Sequence, residues 1–252
     1  MKLKSTLLLA IILSLSTAAL GQKADPPKPA AAVKLPTVAE ILAKYVKAIG
    51  GREASEKIKT RLTTGTVEIV PMGIKGTFET YAAAEAKSYT KMNLAGIGEM
   101  IEAFDGRTAW TINPIQGGRE KSGAELLQSR LTYNFHREIN LEKLYSKMEV
   151  TGIEKVGGKD AYVISATAEG LPVETMYFDI AGGLLVRSDV TIISPEGNQP
   201  AKNFFEEMRA VDGVLIPVKI RSQLPQMEII MTATEVKNGV AIEDTKFGKP
   251  KP

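Results

Sequence analysis

The chain has 252 residues, 44% of them apolar, with 32 basic and 29 acidic side chains, one histidine and no cysteine. The missing cysteines exclude disulfides, thiolate metal sites and a cysteine nucleophile. The formal net charge of +3 sits partly in Lys2 and Lys4, and the remaining acids and bases are interspersed, so no basic stripe for nucleic acid is present.

Lys2 and Lys4 precede an apolar core at residues 7–15, and Ala19-Leu20-Gly21 offers small residues at both cleavage positions. This pattern predicts a signal peptide over residues 1–21 and cleavage before Gln22. The run is too short and too interrupted, by Ser14, Ser16 and Thr17, to favour an uncleaved membrane anchor. Without a cysteine to carry a lipid, the mature chain is expected to be a soluble periplasmic monomer. Residues 22–36, QKADPPKPAAAVKLP, bury too little apolar area to order themselves and read as a tether. One domain is expected over residues 37–247, with a disordered tail at 248–252.

Thr37 is placed to cap a helix in which Val38, Ile41, Leu42, Tyr45, Val46 and Ile49 form one apolar face, stopped by Gly50-Gly51. Packing on the domain's own sheet is favoured over membrane insertion, because the helix carries few basic residues. A second short helix is expected over 52–60. From Leu62 the apolar period drops to about two, the signature of strands. A first meander is read at 62–70, 74–82, 86–94, 98–104 and 108–113. Residues 122–145 return to mixed helical spacing and predict two short helices. A second meander is read at 148–156, 160–168, 172–179, 184–193, 202–211, 214–221 and 226–236. The turn pairs Asp105-Gly106, Gly157-Gly158, Gly182-Gly183, Asp212-Gly213 and Asn238-Gly239 tolerate the positive φ that tight reversals demand. The fold class is therefore α+β and mainly antiparallel β: one large curved sheet, an open half-barrel, covered by segments 38–49 and 122–145.

Helix 41–51, the phrase AFDGRTAWTINP at 103–114, the hairpin YFDIAGGLLVRSDV at 177–190 and the hairpin FFEEMRAVDGVLIPVKI at 204–220 resemble the LolA/LolB-like periplasmic lipoprotein-carrier superfamily. The likeness spans most of residues 37–236. It implies an open antiparallel half-barrel with helices as a lid, enclosing an apolar cavity for acyl chains. Two features depart from a minimal carrier: a long segment at 115–146 and the basic, proline-rich tether. KYVKAIGGREA, at 44–54, also resembles a domain found beside zinc peptidase or cytochrome modules, but HExxH, HxxEH and CxxCH motifs are absent.

No catalytic constellation is legible. His136 stands alone in TYNFHREIN, where a metal site needs several converging ligands, and it reads as a lid residue. Glu99, Glu102 and Asp105 do not read as a working carboxylate pair, since Asp105 belongs to a turn. No GxSxG elbow accompanies the serines, and Gly96-Ile97-Gly98 is a turn without a phosphate loop. No catalytic residue, metal ligand or cofactor is expected.

The apolar inventory points instead to binding. Nine methionines stand mostly on or beside predicted strands, and their flexible thioethers suit adaptable apolar surfaces. The candidate cavity residues are Phe104, Trp110, Ile112, Met176, Phe178, Met227, Ile229 and Met231. Thr108, Trp110 and Ile112 share one face, matched to Met100, Glu102 and Phe104; Trp110 either stands at the ligand wall or packs against a covering helix. The expected partner is a lipid or the acyl chains of a lipoprotein, with transient membrane contact. The competing reading is a protein-interaction or envelope-sensing module.

Overall fold

In the computed structural model, which describes residues 34–250, thirteen strands form one antiparallel sheet in the order β6-β5-β4-β3-β2-β1-β13-β12-β11-β10-β9-β8-β7. The chain begins at the centre, with β1 Thr60–Val70, β2 Ile74–Ala83, β3 Lys87–Leu94, β4 Gly98–Phe104, β5 Ala109–Asn113 and β6 Gly117–Glu120 stepping out to one edge. A crossover carrying α3 Gly123–Thr132, a 3-10 turn Arg137–Ile139 and α4 Leu141–Leu144 then takes it to the opposite edge. From there β7 Lys147–Val156, β8 Lys159–Thr167, β9 Glu174–Asp179, β10 Leu185–Ile192, β11 Gln199–Val211, β12 Val214–Gln223 and β13 Glu228–Asn238 step back to pair with β1. The two edge strands do not pair, so the sheet is open. The expected signal peptide, most of the tether and residues 251–252 lie outside the described residues.

Two helices precede the sheet, α1 Val38–Ala48 and α2 Arg52–Lys57. Thr37 and Glu40 close a capping box: the Glu40 amide donates to Thr37 Oγ1 at 3.2 Å, and the Thr37 amide donates to Glu40 Oε2 at 2.7 Å. The 3.6-residue period then turns Ile41, Leu42, Tyr45 and Ile49 onto β8, β9 and β10. There they meet Ile164, Ala166, Met176, Phe178 and Leu185, together with Ile139, Leu141 and Tyr145 from the crossover. Tyr45 stands edge-on to Phe178 at 5.3 Å between ring centroids. Each fully buried side chain of this size contributes about 1.5–3 kcal/mol, and this cluster is the main core.

The end of α1 docks on the turn between β11 and β12. Leu215 N donates to Ile49 O at 2.8 Å, and Gly50 at φ +110° lies so close to that turn that a Cβ would stand 2.0 Å from Gly213 O. Only glycine fits there. The outer face of β2 and β3 is covered by the segment after β13, where Lys246 stands 4.3 and 4.2 Å from the rings of Tyr81 and Tyr89, and Lys87 pairs with Asp244 at 3.1 Å.

The structure departs from the expected elements at several points: the helix expected over 52–60 ends at Lys57 and Thr60 already belongs to β1, and a 3-10 turn at Asp244–Phe247 follows the last strand. β6 is a strand that apolar alternation does not mark, because Gly117-Gly118-Arg119-Glu120 has no apolar side chain and pairs only with β5. Asn238-Gly239 ends the sheet instead of reversing into another strand.

Candidate ligand cavity

The inner faces of β1, β2, β11, β12 and β13 floor a cavity of about 320 Å³. Phe78, Phe205, Val218, Ile220, Met231 and Ala233 supply its apolar floor, and Tyr45 and Ile49 of α1 with residues 135–139 form its roof. A bulge between Thr64 and Gly65 of β1 against β13 bends the sheet at this point, and Gly65 leaves room for it: a Cβ there would meet Thr232 O at 2.0 Å. The volume falls in the range of small-molecule pockets. A second cleft of about 660 Å³ runs under α3 and shares Arg137, Glu138, Phe205 and Ile220 with the first.

The roof is fixed by polar contacts to both halves of the sheet. His136 Nε2 lies 3.1 Å from Ser55 O and 3.0 Å from Ile58 O. Carbonyl oxygens only accept, so this nitrogen carries the proton and pins residues 135–139 to the α2–β1 junction. Arg137 Nη2 donates to Tyr145 Oη at 2.6 Å and lies 2.9 Å from both carboxylate oxygens of Glu174 on β9; Tyr145 Oη also donates to Glu174. Burial opposes the Arg137 charge, but the Glu174 carboxylate outweighs it with Tyr145 and Glu138, and the guanidinium is held above its ordinary pKa. Under α3, Gln128 Nε2 donates to Thr191 O at 2.7 Å and its Oε1 accepts from Ile193 N at 3.0 Å, while Arg119 pairs with Glu125 through both guanidinium nitrogens at 2.7 and 2.8 Å. The crossover is therefore a cover tied to β6 on one side and to β9 and β10 on the other.

The predicted cavity residues fall into four groups. Met231 lines the cavity. Met227 and Ile229 share its face but pack against Val67, Ile69 and Leu94, beyond the open space. Met176 and Phe178 face the same side of the sheet, 0% exposed, where α1 fills the space; Phe104 is equally buried, its ring 6.0 Å from Tyr133 at the end of α3. Trp110 and Ile112 require a correction. Register pairs Glu102 with Thr111 and Ala103 with Trp110, and residues directly opposite in an antiparallel pair project to one side. Trp110 and Ile112 therefore share the outer face with Ile101 and Ala103, and it is Ala109, Thr111 and Asn113 that face inward beside Glu102 and Phe104.

Residue patterning missed the central wall, Phe78, Phe205, Val218, Ile220 and Ala233, and it missed Arg61. All five wall residues lie on strands that were expected. The signal that singles them out is topological: the first and last strands pair with each other, so the middle of the sheet is built from both ends of the chain. Arg61 fell between the helix expected over 52–60 and the strand expected from 62, yet it stands in β1 and lines the cavity.

No family model and no curated protein matches the chain. Among solved structures, a DUF1329 family protein from Desulfovibrio piger is 17% identical with a TM-score of 0.56, the match covering 84% of this chain and 97% of that one. A LolA superfamily protein from Nitrosomonas europaea is 14% identical, also at 0.56, covering 85% and 99%. An outer membrane lipoprotein-sorting protein domain from Vibrio parahaemolyticus is 9% identical at 0.52, covering 82% and 97%. The fold is LolA-like. At these identities the likeness concerns the fold alone, and within it the apolar cavity and the tied crossover are the features of this chain that can hold a ligand. Among the described residues no group of three or more His, Asp or Glu side chains could hold a metal ion, and no helix is long and apolar enough to cross a membrane.

Proposed function

We propose that this protein is a non-enzymatic binding protein for a hydrophobic ligand, a lipid or the acyl chains of a lipoprotein, acting in the periplasm after export. The observation that carries the reading is the apolar space left open between the central strands and the roof, in a sheet whose neighbouring strands are closed by a packed helix. At about 0.8 kcal/mol per buried methylene, a dozen methylenes supply about 10 kcal/mol before the cost of association, enough for useful affinity without covalent chemistry. The LolA-like fold and the lipoprotein-sorting name of the Vibrio parahaemolyticus domain support the same ligand class. Transient membrane contact would load or deliver it.

The test is native mass spectrometry of the protein purified from a membrane-containing lysate. A retained acyl species that exchanges for added lipid is expected; a protein that is empty and takes up no acyl compound contradicts the proposal. A second reading, a protein-interaction or envelope-sensing module, is favoured by exposed Val173 and Ile192, which line the cleft under α3. That reading predicts an empty cavity and a captured partner whose binding is lost on Val173→Asp.

A further inference from the structure

The cavity is not uniformly apolar. Its corner between β1 and the roof is built from Arg61, Thr63, Thr80 and Phe135, while the far wall is hydrocarbon from Phe78, Val218 and Met231. Arg61 is half-buried, and its guanidinium carbon stands 5.7 Å from the Phe135 ring centroid. Its Nε donates to Asn238 Oδ1 at 2.9 Å, and Asn238 Nδ2 in turn donates to Asp212 Oδ2 at 3.0 Å. These contacts orient the side chain through one nitrogen. Among the described residues, Nη1 and Nη2 have no hydrogen-bond partner and no carboxylate stands at ion-pair distance. Among the described residues Glu138 is the one carboxylate lining the same cavity; burial disfavours the Arg61 charge, Glu138 and Asp212 favour it from a distance, and the net effect lowers its pKa. A guanidinium so placed presents two free donors in a planar fork toward an apolar chamber, the arrangement that a carboxylate or phosphate satisfies.

We propose that the cavity takes a single-chain amphiphile with an anionic head, the head held by the Arg61 fork and the chain lying along Phe78, Val218 and Met231. This inference rests on the hydrophobic-ligand reading above and narrows it. Lipid acyl chains attached to a neutral head would leave the Arg61 donors facing hydrocarbon. The anionic head satisfies them, and Thr63 and Thr80 supply hydroxyls beside it.

The experiment titrates the protein with dansylaminoundecanoic acid and with its methyl ester, which differ only in the charge of the head. The acid is expected to bind about tenfold tighter or more, the range of one hydrogen bond to a charged group. Arg61→Met should abolish the difference between acid and ester, the ester binding as tightly as before or tighter because no unpaired donors then face it, and a cooperative urea transition reports that the variant is folded. Asn238→Ala, which keeps the charge but frees Nε, should reduce the preference only in part. Competition against the acid probe by laurate and by dodecyl phosphate then names the head: the stronger competitor identifies carboxylate or phosphate, and either result supports an anion site. Equal binding of acid and ester, a preference that survives Arg61→Met, or equal competition by dodecyltrimethylammonium overturns the inference while the cavity reading stands. If neither probe binds, the hydrophobic-ligand reading fails and this inference fails with it.

Discussion

Strands β8–β10 and the central strands β11–β13, β1 and β2 belong to one sheet and follow one alternation, yet their inner faces are used differently. In the first region α1 and the crossover press Tyr45, Leu141 and Tyr145 onto Met176 and Phe178, both 0% exposed, and no space is left beside those two side chains. In the second the same roof passes over Phe205, Ile220 and Met231 at a distance, and these side chains remain partly exposed toward a void. Alternation decides which side of a sheet a residue faces; whether that side is core or cavity is decided by what docks on it.

The largest test of this contrast truncates one aromatic in each region. Phe178→Ala should cost about 3–5 kcal/mol, because fully packed neighbours cannot collapse into the hole. Phe205→Ala, whose ring already borders open space, should cost less than about 2 kcal/mol on the same scale. Urea denaturation reads both, and a loss at Phe205 equal to that at Phe178 would mean that the two regions are packed alike.

The border between the regions is held by Arg137, Tyr145 and Glu174, whose two charged side chains are 16% and 10% exposed. Arg137→Met leaves a carboxylate buried without its cation and should cost about 3–5 kcal/mol. Adding Glu174→Met should recover most of that loss, since an apolar pair of similar volume replaces both charges. A double variant no more stable than the single one would show that the roof is held by something other than this pair.

A smaller effect separates the regions by pH. Tyr45, Tyr133 and Tyr145 have their pKa values pushed above the ordinary value of 10.0, first by burial and then by Glu138, Glu102 and Glu174 respectively. The folded protein keeps phenolic protons that the unfolded chain releases, so this stability is complete below about pH 10 and is lost as the pH rises above it. Denaturation midpoints should hold steady up to that pH and then fall. Midpoints unchanged on the alkaline side would mean that the tyrosines under the roof are open to water.

The smallest expected effect is none at all. Trp110 lies on the outer face with Ala103, so its emission should not change when an acyl ligand fills the cavity. A saturable shift would place the ligand on the convex side of the sheet.

The strands and the leading helix were legible because their periods are strong: Ile41, Leu42, Tyr45 and Ile49 recur at helical spacing, and β7 to β13 alternate between turn glycines. β6 was invisible because an edge strand made of two glycines and two charges has no face to bury. The cavity was legible only as a possibility. Met176 and Met231 look alike in sequence, and their different fates depend on α1 ending at Gly50 against Gly213, a long-range contact that no local pattern records. Trp110 was assigned to the inner face by matching two alternations one residue out of register; such a slip reverses every side chain on the strand.

The most direct test of the open central region fills it. Ala233→Trp places a large side chain in the cavity floor between Phe78 and Val218, and an uncharged acyl probe such as the dansyl methyl ester reports occupancy. The wild-type protein should bind the probe saturably, and Ala233→Trp should lose binding by about tenfold or more while remaining cooperatively folded. A folded Ala233→Trp variant that binds the probe as the wild type does would contradict the placement of the ligand in this cavity.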